Sequence, residues 1–384
     1  MELTKEEFLK LGEGLSEIER DLLLRSYETI MSNVYEKDKY FWGKYRLISP
    51  GKCCFKGVWN WDSAFHALGT SRWDSELAKE NILGFLEYQD EAGMLPDLLG
   101  ESGRIARNSS KPPVFAWATE LVYRRTGDKE LLTKAYPALA KESSFWENNR
   151  TLGGLFHYDA ENKDSEKYYM QIGFESGWDN SVRWDGKAIK DLYPIDLNCY
   201  MVMAYRSLSF IASEIGKGSE AEKWSQKEKA LTERIKNEFW DEEKGIFNDL
   251  NCKTGEISNC ITPAIFMPLF VGIATKEQAE KAAFIAENRL MGRMPTVSFD
   301  HPKYSNMYWR GPTWLNVAFF AAKGLKNYDL PVADVIKKNI LDMCYAERDG
   351  ICENYDSKSG KGLCCNNFSW SSVFLIEFIL GFEE

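Results

Sequence analysis

Apolar residues recur along the chain at three- and four-residue spacing, the period of a helix with one buried face. The clearest run is "PIDLNCYMVMAYRSLSFIA", in which Leu197, Met201, Ala204, Leu208 and Ile211 share a side. Pro194 stands near its start and Gly216 just past its end. The same pattern predicts helices near 16–35, 74–89, 114–126, 137–149, 219–239, 275–290, 312–325, 330–346 and 368–381, with shorter ones around 62–69 and 261–272. Two-residue alternation is rare, and "MPTVSFD" at 294–300 is the best strand. No Pro/Ser-rich linker interrupts the pattern, so residues 1–384 read as a single, mostly helical domain.

A weak repeat runs through these helices. "GLFHYD" begins at Gly154, "GIFNDL" at Gly245 and "GICENY" at Gly350, with "AGMLPDL" at 92–98 as a degenerate copy. Each follows a helix and opens on or next to a Gly, which reads as a C-cap turning the chain into a loop. A ring of helical hairpins would bring such loops to one rim.

Composition narrows the chemistry. Aromatic residues make up 14% of the 384 positions, including 13 Trp, and suit clefts for ligands with flat apolar faces, sugars above all. Net charge is −10 with no basic stripe, so nucleic acid is not an expected partner. The N-terminal "MELTKEEFLKLGEGL" lacks a basic region and an apolar run, and "TPAIFMPLFVGIA" is too short to span a bilayer. A cytoplasmic protein with no membrane partner is therefore expected. Nine Cys include the adjacent pairs Cys53-Cys54 and Cys364-Cys365, neither spaced like a zinc site, and only His66, His157 and His301 carry imidazoles. No metal and no cofactor are expected.

With these groups set aside, carboxylates are the main catalytic candidates, and two segments concentrate them beside aromatics: "FESGWDNSVRWD" and "CENYDSKSGKG". Acetal hydrolysis needs one carboxylic acid to protonate the leaving oxygen and one carboxylate to activate water or attack carbon. Burial against Trp178 or Trp184 would raise the pKa of Asp179 toward that of a neutral-pH acid. Glu175 is its rival in the first segment; in the second, Glu353 and Asp356 both qualify.

The segment "ESGWDNSVRW" resembles the signature of inverting α-glycosidases with an (α/α)6 barrel: the glycoside hydrolase family 63 group, with its mannosylglycerate hydrolases and processing α-glucosidases, and the related trehalases. "VWNWDSAFHALG", "QDEAGMLPD", "SSKPPVFAW", "MYWRGPTWLNVAFF", "ENYDSKSG" and "NFSWSSVFLIEFIL" are similar to further family blocks and follow in the family's order from about residue 40 to the C-terminus. The resemblance implies an all-α (α/α)6 toroid with short β segments in its rim loops. It implies Asp179 as general acid and Glu353 as general base, roughly 6.5–9.5 Å apart for inversion. By the same resemblance Trp61 and Asp62 line the −1 subsite, Trp309, Arg310 and Gly311 contact sugar, and Arg183 and Trp184 border the aglycone. Trp178 is a wall for Asp179, while Trp314 and Trp370 serve either the sugar or the packing. His66, Phe65, Phe115 and Phe374 are expected to be structural.

Two departures bear on substrate. Lys111 stands where the family often has Gln, and a cation there would read a carboxylate or point away; with Arg310 it is expected to make the pocket locally positive. The chain also has no room for the large β-sandwich of members acting on long glycans. The expected function is hydrolysis of a small soluble α-glucoside or α-mannoside, a disaccharide or a glucosyl- or mannosyl-glycerate. The alternatives are a non-catalytic or sensory sugar-binding protein on the same fold and a sugar epimerase, which would rely on paired His.

Overall fold

A computed structural model describes residues 2–159 and 173–384. Among the described residues, after a short capped turn of helix, α1 (Lys5–Lys10), twelve helices alternate between two rings. The outer ring consists of α2 (Glu17–Ser32), α4 (Ser75–Leu86), α6 (Lys129–Asn149), α8 (Gly218–Glu238), α10 (Lys276–Asn288) and α12 (Val332–Ala346). The inner ring consists of α3 (Asn60–Thr70), α5 (Phe115–Thr126), α7 (Ile195–Glu214), α9 (Met267–Phe270, led in by a 3-10 turn at Pro263–Phe266), α11 (Leu315–Lys326) and α13 (Ser369–Leu380). Each inner helix packs on the next, and α13 closes back onto α3. This is the (α/α)6 toroid that the resemblance implies.

Sequence sorts the helices between the rings. All 11 residues of α3 and all but one of α13 are buried, so these helices are covered on every side. In α8 only Ala221, Trp224, Leu231 and Ile235 are buried, a single stripe facing inward. Polar N-caps fix where several outer helices begin: Ser16 and Thr275 form capping boxes, and Asp74 and Asp128 accept from the backbone three residues on.

Three expectations need correction. The helix predicted from Pro137 begins eight residues earlier, at Lys129, because Asp128 caps it; Pro137 sits inside and forfeits one backbone hydrogen bond. The strand expected at 294–300 is absent: Met294 takes a φ of +49°, and only Pro295 makes an isolated bridge, to Thr313. Gly154 and Gly245 are not helix caps either. They turn the two-residue hairpins 151–152/155–156 and 240–241/246–247 that follow α6 and α8, at φ +80° and +65°. Among the described residues, no helix is long and apolar enough to cross a membrane.

Candidate active site

Five segments enter inner helices from the same rim, and together they enclose a cavity of about 720 Å³. They lie before or at the starts of α3, α5, α7, α11 and α13. Trp61 and Asp62 come from the first, Asp97 and Lys111 from the second, and Asp179 from the third. Tyr308, Trp309 and Trp314 come from the fourth, and Glu353 and Trp370 from the fifth. The first turns of α3 and α13 reach the cavity themselves, through Trp61, Asp62 and Trp370.

Three carboxyl groups act on one ammonium. Lys111 is buried, pairs with Asp97 at 3.0 Å and donates to the Phe174 carbonyl. Burial alone would pull its pKa down, but Asp97, Asp179 and Asp62 outweigh that and hold it above the ordinary lysine value. Burial pushes Asp62 up to about 8, against the pull of its own backbone amide and Lys111. Asp179, part-exposed on the wall, is raised to about 7 by desolvation, with Lys111 opposing and Asp97 and Glu353 adding. Glu353 is also raised to about 7 by burial, but two donors favour its charged form. Tyr308 Oη donates to Oε1 at 2.7 Å and the Cys365 amide to Oε2 at 3.3 Å. Burial is thus the leading cause at both candidate catalytic carboxyls, and at Glu353 two hydrogen-bond donors partly offset it.

The remaining wall is aromatic. Trp309 and Trp314 stack at 4.0 Å and 10°, Trp314 meets Trp370 edge-on at 5.5 Å, and Trp370 meets Trp61 at 5.1 Å. Gly177 (φ +74°) lets the 173–185 segment touch this wall, since a Cβ there would overlap the Trp61 ring. Asn180 ties the acid's segment to the aromatic one: its Oδ1 accepts the Trp309 amide at 2.9 Å and its Nδ2 donates to the Met307 carbonyl at 3.2 Å.

The family model described as the mannosylglycerate hydrolase MGH1-like glycoside hydrolase domain matches residues 56–371, most of the chain. The chain belongs to this glycoside hydrolase family. It is also similar to a periplasmic trehalase of Citrobacter koseri (25% identical, 80% of this chain and 62% of the relative). One of Escherichia coli is 26% identical over 80% of this chain and 63% of its own length, so the chain spans under two thirds of these relatives. Among solved structures, the family 63 mannosylglycerate hydrolase of Thermus thermophilus, in complex with Tris and D-glycerate, superposes with a TM-score of 0.77 at 23% identity. That match covers 92% of this chain and 99% of the other. The neutral trehalase of Saccharomyces cerevisiae gives 0.70 at 19%, covering 88% and 74%.

Of the residues expected in the site, Trp61, Asp62, Lys111, Asp179, Trp309, Trp314, Glu353 and Trp370 line the cavity. Glu175, Trp178, Arg183, Trp184, Arg310 and Gly311 are not among its lining residues, and most of them shape the loops behind it. Glu175 is fully buried, takes both oxygens to Arg150 at 2.9 Å and accepts the Ser110 and Asp159 amides. Arg183 is clamped between Asp196 and Asp249 and sandwiched by the Trp178 and Trp184 rings. Trp184 donates to the Trp178 carbonyl at 2.8 Å. Arg310 reaches Asp185 at 2.7 Å and the Asn180 carbonyl at 3.0 Å. Gly311 allows close approach to the Ser305 backbone rather than to a sugar.

Of the two cations expected to make the pocket locally positive, Arg310 is engaged with Asp185 behind the wall, and Lys111 is offset by Asp97, Asp179 and Asp62. Asp356 closes an exposed turn, accepting the Lys358 amide at 2.8 Å. His66 is buried with Nε2 2.6 Å from Ser369 Oγ, and burial lowers its pKa to about 3. Among the wall residues that escaped the sequence reading, Asp97 and Tyr308 touch the charged groups directly. Asp97 ends a block quoted as family-like and carried no other signal. Tyr308 sits at φ +54°, a strained backbone that only the structure reveals.

Proposed function

We propose that this glycosidase is an inverting hydrolase of a small soluble α-glucoside or α-mannoside, acting as a single catalytic domain over residues 1–384. The observation that carries the reading is a pair of carboxyls facing one cavity with different partners: Asp179, raised to about 7 chiefly by desolvation, and Glu353, also raised to about 7 by burial but with two donors that favour its charged form. Asp179 then protonates the glycosidic oxygen as the bond to the leaving group breaks. Glu353 removes a proton from a water that attacks the anomeric carbon on the opposite face. Asp62 and the Trp61–Trp370–Trp314–Trp309 wall hold the sugar, with the carboxyl on its hydroxyls and indole against its apolar face. Lys111 sets the charge around the acid and does not read a substrate anion.

The cavity volume lies within the roughly 300–1,000 Å³ of small-molecule sites and suits a disaccharide or a sugar-glycerate. Relatives named for trehalose and mannosylglycerate support both substrate types. The surplus of carboxyls favours the uncharged disaccharide, while Arg104 on the cavity wall favours the glycerate. Nine free cysteines support a reducing cytoplasm, and cell fractionation tests this against the periplasmic location in the relatives' names.

The deciding experiment is turnover of trehalose, kojibiose, nigerose, glucosyl-glycerate and mannosyl-glycerate, with NMR of the fresh product. A β-anomer from an α-substrate is required; an α-anomer refutes inversion. Asp179→Asn and Glu353→Gln should each lose roughly 10²–10⁴-fold in kcat. Wild-type rates in either variant would remove that residue from its role.

A further inference from the structure

Cys53 and Cys54 lie in a turn closed by the Gly51 carbonyl, which accepts the Cys54 and Phe55 amides at 2.9 and 2.8 Å. Cys365 arrives from 311 residues further on (365 − 54), in a loop whose Cys364 and Asn367 hold φ values of +60° and +65°. Cys53 Sγ is 3.4 Å from both Cys54 Sγ and Cys365 Sγ, and all three sulfurs lie within 4.8 Å of one another. Gly51 makes the room: a Cβ there would stand 2.9 Å from Cys365 Sγ. Cys53 and Cys54 are exposed, whereas Cys365 is buried. No spacing rule finds this cluster, because its third member is supplied by the fold.

We propose that Cys53, Cys54 and Cys365 form a three-thiolate site for a thiophilic d¹⁰ cation of the Cu(I), Zn(II) or Cd(II) class. Metal–sulfur bonds of about 2.3 Å in trigonal or tetrahedral geometry place sulfurs about 3.8–4.0 Å apart, within sub-ångström reach of the observed arrangement. Soft thiolates select such ions over hard cations. On binding, three S–H protons pass to solvent and three metal–sulfur bonds form, with no change of oxidation state. Three converging sulfurs favour a cation over a disulfide, which would use two and strand the third.

The site abuts the catalytic cavity. Pro50 and Phe55 flank the first two thiols and line that cavity, as does Phe368 beyond the third. Glu353 and Cys365 exchange two hydrogen bonds: the Cys365 amide donates to the Glu353 carboxylate at 3.3 Å, and the Glu353 amide donates to the Cys365 carbonyl at 2.8 Å. An ion drawing Cys365 toward the 51–55 turn therefore displaces the carboxylate proposed as base. This coupling rests on the reading of Glu353 above, whereas the binding site does not.

The test is titration of reduced, full-length protein with Cd(II), followed by the ultraviolet thiolate-to-metal charge-transfer band. Saturation at one ion per chain is expected. Cys53→Ser and Cys54→Ser should each weaken binding by more than the roughly 10–100-fold that loss of an outer-shell partner costs. Cys252→Ser, remote from the cluster, should bind like wild type. Non-saturating binding, or wild-type affinity in the Cys53 and Cys54 variants, overturns the site. So does a thiol count showing that a mild disulfide reagent consumes two of the three thiols while Cd(II) leaves them untouched. Hydrolysis should fall on Cd(II) addition, recover with a chelator and stay constant in the Cys53/Cys54 double variant. Stoichiometric binding with unchanged hydrolysis refutes the coupling and leaves the site standing.

Discussion

Tyr308→Phe removes one hydroxyl and should move one limb of the pH–rate profile. Its Oη donates to Glu353 Oε1 at 2.7 Å, and the Glu353 pKa of about 7 already includes that contact, which lowers it. A hydrogen bond to a charged group contributes about 1.5–3 kcal/mol, and one pKa unit corresponds to about 1.4 kcal/mol. Losing it should raise the Glu353 pKa by roughly one to two units. A base works ionised, so activity rises with pH through its pKa, and this acid limb is the one that shifts upward. The alkaline limb, set by deprotonation of Asp179, should stay near its wild-type position. The two groups are coupled, so both limbs report values belonging to the pair. The assay is kcat/KM against pH on the substrate identified by the panel, and at pH 6 the variant should lose roughly 10–100-fold. An acid limb that stays in place or moves down would sink the assignment of Glu353 as the ionised partner. Equal loss at every pH would leave Tyr308 a structural role only.

Three further outcomes follow from the same geometry. Gly177→Ala places a Cβ into the Trp61 ring at a left-handed φ; displacing that wall by about 1 Å should lower kcat/KM by roughly 10² without unfolding the chain, as circular dichroism would verify. Glu142 is buried in α6, its Oε1 has no hydrogen-bond partner among the described residues, and burial raises its pKa from 4.5 to about 8. The folded state therefore binds the proton more tightly, and stability is lost as pH rises from about 4.5 to 8; Glu142→Gln should gain about 3 kcal/mol at pH 7 and nothing below pH 4.5, read by denaturant unfolding. Arg183→Met strands Asp196 and Asp249 in the interior and should destabilise by about 3–5 kcal/mol, whereas a neutral result in urea melts would place the loop's support elsewhere.

The helical ring was legible because its signal is periodic and local. Leu197, Met201, Ala204, Leu208 and Ile211 share a face in sequence, and all five are buried in α7. What failed was punctuation. Pro137 read as a helix start until Asp128 proved to cap the helix earlier, and Gly154 and Gly245 read as caps although they turn hairpins. At the site, the family-like blocks picked out the right loops, but adjacency in a loop does not tell which side chain faces the cavity. Asp179 and Arg183 are one helical turn apart in numbering, yet one lines the cavity and the other is locked behind it by Asp196 and Asp249. Those partners sit 13 and 66 residues away from Arg183, beyond any local pattern.

Burial sorts several ionisable groups in an unusual way. It takes His66 out of the near-neutral range, to about 3, while Asp62, Asp179 and Glu353 are lifted into it, to about 8, 7 and 7. The cavity is thus a small proton reservoir. A ligand that expels its water desolvates these carboxyls further and draws protons from the buffer as it binds. Even an uncharged sugar would then bind with an affinity that falls as pH rises, and with a heat that depends on which buffer supplies the proton.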